Sequence, residues 1–194
     1  MNDRHDPVCP VALAGALDSG LRRWLQSPRR LLEPHVREGM TALDFGCGPG
    51  FFTLELARLV GPAGRVVAAD LQSGMLEKVR LKAQGSELEA RIVLHACEAG
   101  RLGLDGPLDF VLAFWVLHEL PSAAAFFAEI RPLLSPRGRV LVVEPPLHVS
   151  NAAFEATLET ARQAGFRVAG RPRVRLNKAA LLESARGRDA REGE

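Results

Sequence analysis

Asp44, Gly46, Gly48 and Gly50 occupy alternate positions in the heptapeptide DFGCGPG, which joins an apolar run to a helical pattern. One carboxylate beside three glycines is a turn over which a ligand can approach the main chain without side-chain interference, at the start of a helix. The spacing argues against a phosphate ligand. Dinucleotide loops read G-x-G-x-x-G or G-x-G-x-x-A, whereas the sixth position counted from Gly46 is Phe51 and the third glycine comes one residue early. Pro49 removes one N–H from the turn that would have to hold a pyrophosphate, and no Gly-Lys-Ser/Thr follows.

Further groups able to do chemistry lie downstream. His118 follows the apolar run LDFVLAFW and is read as a general base or substrate-orienting donor, with a purely structural histidine as the rival reading. Glu119 and His148 are secondary candidates at the same place. Phe114 and Trp115 suit the walls of a pocket, and core packing competes for both. The three cysteines, Cys9, Cys47 and Cys97, are odd in number and widely spaced, which points to neither a disulfide framework nor a zinc cluster.

Positioning these groups requires strands that end beside one another. TALDFG, RVVAAD, RIVLHA, LDFVLAFW and GRVLVVEP read as strands, separated by helical patterns at FFTLELARLV, GMLEKVRLKAQG and SAAAFFAEIRPLL. Gly61-Pro62 and Gly85 are expected stops, and Ser122 is an expected N-cap. NAAFEATLETARQAG should form a helix between Ser150 and Gly165, followed by two short strands near FRVAGR and NKAALLE. Leu13, Leu17, Leu21, Trp24 and Leu25 predict an amphipathic helix over 11–33, broken near Pro28. Alternating strands and helices with strands this apolar predict an α/β fold, a doubly wound and mostly parallel sheet with helices on both faces. Ligands then collect at the carboxyl ends of the strands.

D-x-G-x-G-x-G with Asp44 at the strand end resembles the first motif of class I S-adenosylmethionine-dependent methyltransferases. The resemblance extends over residues 40 to about 185 through Asp70 at the end of RVVAAD, the HACEAGRL loop, LDFVLAFWVLHELP and LLSPRGRVLVVEP. It implies a Rossmann-like seven-stranded sheet with the last strand antiparallel, and S-adenosyl-L-methionine as cofactor. Asp44 would meet the cofactor's ammonium group. Gly46, Cys47, Gly48 and Gly50 would form its turn, Asp70 with Leu71 would take the ribose, and Cys97, Glu98 and Phe114 would border the adenine. The family more often has aspartate at Glu98 and glycine at Cys97. Pro132 departs from it inside a helix, where a kink is expected. Trp115, Glu119 and His148 are implied on the acceptor side, with His118 as candidate catalytic residue and no metal.

The acceptor is named less well than the cofactor. In-line transfer from a sulfonium needs mainly positioning, and a thiolate acceptor would need no base while a hydroxyl or carbon acid would. Net charge is +2, with arginine clusters at 22–30 and 167–175 that favour neither nucleic acid nor membrane. The Asn/Asp-Pro-Pro-aromatic pattern of base methyltransferases is missing after LDFVLAFW. A small-molecule acceptor is therefore expected, with RNA, protein or a metalloid such as arsenite as alternatives. A non-catalytic S-adenosylmethionine-binding protein stays open. A nicotinamide oxidoreductase is disfavoured by the loop register and the absence of tyrosine. The expected organisation is a helical segment over 1–36 as candidate lid, a cofactor-binding domain over 37–185 and a polar tail over 186–194. With no leader or spanning stretch legible, a cytoplasmic protein is expected, of unspecified oligomeric state.

Overall fold

The computed structural model describes residues 27–98 and 100–185. Seven strands and five α-helices alternate along them, and the labels used here count these elements in order. They are α1 (Pro28–Leu32), β1 (Thr41–Phe45), α2 (Thr53–Leu59), β2 (Arg65–Asp70), α3 (Ser73–Ala83), β3 (Ile92–Ala96) and β4 (Leu108–Phe114). There follow α4 (Ala123–Leu133), β5 (Leu134–Glu144), α5 (Asn151–Gln163), β6 (Phe166–Gly170) and β7 (Lys178–Ser184). The sheet runs in the order β3-β2-β1-β4-β5-β7-β6. Five strands are parallel, while β7 runs antiparallel to both β5 and β6. The expected fold, last strand included, is the observed one.

Both faces of the central strands are buried, which is why those strands read as continuous apolar runs. Leu43, Phe45, Val111 and Ala113 pack with Phe126, Phe127 and Ile130 of α4 and Phe154, Leu158 and Ala161 of α5. On the opposite face Ala42, Leu112 and Leu141 meet Phe52, Leu56 and Ala57 around α2, and Leu76 and Val79 of α3 cover Ala68. β1 and β4 are neighbours whose following helices lie on opposite faces. The loops after them diverge, and a crevice opens where Phe45 and Ala113 sit side by side in the sheet.

Helix starts follow the sequence. Ser122 Oγ accepts from the Ala125 N–H and Ser150 Oγ from the Ala153 N–H, both at 3.1 Å. Pro132 is the penultimate residue of α4, so it bounds the last turn where few hydrogen bonds remain to lose. β5 begins at Leu134, four residues before the expected start at Gly138, with a register shift against β4. Gly138 allows this because an added Cβ there would lie 2.7 Å from the Leu108 carbonyl oxygen.

Most of the expected N-terminal helix lies outside the described residues, as do Trp24, Cys9 and the 186–194 tail. Within them, Pro28 opens α1 at the position where its missing N–H costs nothing, and Leu32 and Val36 are buried against the α2 face. Two arginines of the second cluster are engaged in ion pairs: Arg167 with Glu183, and Arg171 with both oxygens of Glu155 at 2.6 and 2.8 Å.

Candidate functional site

The turn after β1 is held by its own main chain. The N–H groups of Gly46 and Cys47 both donate to the Ala69 carbonyl, at 2.9 and 3.0 Å, and that of Gly50 donates to Cys47 at 3.0 Å. The Gly48 N–H donates to Asp70 Oδ2 at 2.9 Å. Pro49 has none to offer. Every N–H from 46 to 50 is thus already paired, so this turn cannot cradle a phosphate. Gly46 and Gly48 take φ of +69° and +51°, the left-handed region in which a side chain is strained.

A cavity of about 540 Å³ opens over this turn and runs between the ends of β1, β2 and β4. Asp44, Gly46, Cys47, Gly48, Asp70, Leu71, Cys97, Glu98 and Phe114 all line it. Gly50 does not. Its φ is +84° and an added Cβ would touch Val79 of α3 at 3.0 Å, so it serves helix packing beneath the turn and not the cavity wall. The size suits a cofactor and a modest acceptor together.

Two carboxylates define the electrostatics near the turn. Asp44 is buried at the end of β1, where Oδ2 accepts from the Thr53 hydroxyl at 2.6 Å. Desolvation pushes its pKa up to about 7, against the relief given by Thr53. Asp70 ends β2, where desolvation raises it while the Gln72 and Gly48 N–H groups, each at 2.9 Å, hold it down. A cationic ammonium beside Asp44 and hydroxyl donors beside Asp70 would find matching partners. Burial raises Cys97 to about 11 and Cys47 well above its ordinary range, so both thiols stay protonated at neutral pH.

Past Trp115 the wall changes character. Trp115 has φ of +59°, uncommon for a bulky residue, and its indole N–H donates to Asn177 Oδ1 at 2.9 Å. That bond ties the end of β4 to the loop before β7. Val116, His118, Glu119, Leu120, Pro145 and His148 continue the wall. His118 and His148 face each other with ring centroids 6.3 Å apart. Behind them stands Glu144, the last residue of β5 and 2% exposed. Its Oε2 lies 2.6 Å from His118 Nδ1, and its Oε1 accepts from the His118 main-chain N–H at 3.2 Å. This bond raises the His118 pKa against desolvation. Desolvation raises Glu119.

Glu144 was not among the residues singled out from the sequence. The signal was present, since an acid closes the apolar run RVLVVE as Asp44 and Asp70 close theirs. His118, Trp115, Glu119 and His148, expected on the acceptor side, all reach the one cavity.

Residues 36–170 match the family model for a methyltransferase domain. The chain is 34% identical over 143 residues to a demethylmenaquinone methyltransferase of Symbiobacterium thermophilum, covering 73% of this chain and 55% of that protein. It is 36% identical over 110 residues to one of Lactobacillus johnsonii, covering 56% and 45%. The chain therefore spans about half the length of these curated relatives. Among solved structures it resembles a SAM dependent methyltransferase from Aquifex aeolicus, with a TM-score of 0.79 and 26% identity, covering 91% of this chain and 100% of that one. No described helix is long and apolar enough to cross a membrane.

Proposed function

The chain belongs to the class I S-adenosylmethionine-dependent methyltransferase family, and on that premise we propose that it methylates a small acceptor built on a hydroxyl-bearing aromatic ring. The observation that carries this reading is that one cavity is lined both by the Gly46–Gly48 turn with Asp44 and Asp70 and by His118, Glu119 and His148. The turn and its two carboxylates are assigned to the cofactor, and the histidine wall to the acceptor. The relatives named demethylmenaquinone methyltransferases supply the chemical class, a quinone-type ring, and reduction of such a ring gives hydroxyl groups.

The residues fit S-adenosyl-L-methionine on the chemistry of the donor set: two carboxylates flank the turn, and the turn has no free N–H for phosphate. Asp44 would face the ammonium group. Asp70 would accept the ribose hydroxyls on lone pairs not taken by Gly48 and Gln72, with Leu71 beside it. Cys97, Glu98 and Phe114 would border the adenine. Bound there, the cofactor supplies a methyl group already activated by positive sulfur. The protein's share is to exclude water with Phe51, Phe114 and Trp115, to aim the acceptor, and to take up a proton where the acceptor releases one.

Calorimetric titration with S-adenosylmethionine and S-adenosylhomocysteine, followed by radiolabelled methyl transfer to reduced 1,4-naphthalenediol, tests the proposal. Binding with transfer supports it. Binding without turnover on any aromatic acceptor would favour a binding protein, and no binding would sink the reading outright.

A further inference from the structure

The acceptor reading above is the premise for one further step. We propose that Glu144 is a positioning residue that presents His118 as the proton acceptor for the substrate hydroxyl, so that methyl transfer requires removal of a proton. An aromatic hydroxyl titrates near about 10 and is neutral at physiological pH, so it needs a base where a thiolate would not.

The geometry assigns the roles. A carboxylate only accepts, so its contact with Nδ1 at 2.6 Å places the ring proton on that nitrogen in the neutral histidine. The second oxygen holds the main-chain N–H of the same residue at 3.2 Å, which fixes the Leu117–Glu119 turn as well as the ring. Nε2 is left with its lone pair, and among the described residues it has no protein partner. His118 lines the cavity and its side chain keeps 25% of its surface open, while Glu144 is enclosed behind it. This is the arrangement of a base in front and an orienting carboxylate at its back.

The step balances. The acceptor O–H proton passes to His118 Nε2. The electron pair released on oxygen forms the bond to the methyl carbon, or, where the conjugated ring carbon forms it, that carbon then loses its own hydrogen as a proton and the oxygen is reprotonated. The carbon–sulfur pair stays on sulfur, and one proton per turnover leaves for solvent. The imidazolium formed in between faces the Glu144 carboxylate from β5. The other titratable groups around it are Glu119 on the same turn, His148 after β5, and Asp70 from β2, which acts on Glu119.

The merely structural alternative is that Glu144 tethers the turn. Glu144→Gln removes the charge and one of the two acceptor oxygens, so a lost tether would slow every acceptor alike, whereas a lost orienting carboxylate slows only the acceptor that must give up a proton. Transfer to reduced 1,4-naphthalenediol should fall on the order of 100-fold in kcat, with cofactor Kd and acceptor KM little changed. Transfer to 2-naphthalenethiol, ionised at pH 8, should fall far less, and Glu144→Asp should restore part of the lost rate. The acid limb of the rate profile should move to lower pH in Glu144→Gln. Equal losses on both acceptors, or an unmoved profile, overturn the proposal.

Ring-nitrogen NMR of His118 in the cofactor-saturated protein reads the pair without an acceptor. The Nδ1–H tautomer, with a titration that drops in Glu144→Gln, is expected. The Nε2–H tautomer or an unshifted titration overturns the pair. If wild-type protein binds cofactor yet methylates neither probe, the acceptor reading fails while the tautomer result stands on its own.

Discussion

Asp70, at the end of β2, reaches across the first turn and accepts the Gly48 N–H at 2.9 Å while its other oxygen caps Gln72. The carboxylate that would bind ribose is therefore also a strut of the glycine turn. Asp70→Ala should lower S-adenosylmethionine affinity by about 100-fold or more, through loss of charge-assisted hydrogen bonds worth roughly 1.5–3 kcal/mol each. It should also lower Tm by a few degrees because Gly48 loses its partner. Calorimetry and thermal melts check both, and unchanged affinity would remove Asp70 from the site.

Asp44 gives the cofactor-free protein a pH dependence. Its folded pKa of about 7 stands above the unfolded value of 3.8, so its contribution is fully present below about pH 4 and is lost as pH rises through 7. Asp44→Asn should therefore stabilise cofactor-free protein at pH 8 by up to a few kcal/mol, seen as a higher Tm, and leave it nearly unchanged at pH 4. A cation bound beside Asp44 would displace its proton. Titrations at pH 6.5 in buffers of different ionisation enthalpy should show proton release that disappears in Asp44→Asn.

Gly46 and Gly48 make opposite predictions about space. A Cβ on Gly46 would lie 2.6 Å from Val116 Cγ2, whereas one on Gly48 meets nothing within 4 Å. Gly46→Ala should cost at least about 2 kcal/mol from strain and overpacking together. Val116→Ala should recover only the overpacking part. Gly48→Ala should cost about 1 kcal/mol and should mainly weaken cofactor binding, since its methyl group enters the cavity. Denaturant melts of the four proteins, with the double mutant included, resolve these contributions.

The His118–Glu144 pair should also show in stability. Because Glu144 raises His118, the pair contributes fully below about pH 6.5 and fades as pH climbs through the folded value. The Tm difference between wild type and Glu144→Gln should be larger at pH 5.5 than at pH 8.5. A difference independent of pH would mean that the carboxylate charge does not act on the ring.

The residues proposed for the cofactor are legible in the sequence because their constraints are local. Left-handed turns call for glycine at Gly46 and Gly48, and an acid closing an apolar strand marks Asp44 and Asp70 without any knowledge of packing. The wall proposed for the acceptor depends on contacts between strands. Glu144 meets His118 across 26 residues of chain, and only the register of β4 on β5 brings them together. Gly50 belongs to the same motif as Gly46 but turns toward Val79, a direction that residue spacing does not encode. The left-handed Trp115 and its bond to Asn177 are likewise consequences of where β7 enters the sheet.

The saturated N–H groups of the 46–50 turn bear on competition inside a cell. ATP and the nicotinamide dinucleotides present the same adenosine, and a pocket that recognised adenosine alone would be filled by them. Here a nucleotide's phosphates would arrive at a turn with no donor left to give and with Asp44 and Asp70 beside it. With the cofactor seated as proposed, discrimination against these competitors would come from the backbone hydrogen bonds of the turn, with no bulky side chain needed to bar their entry.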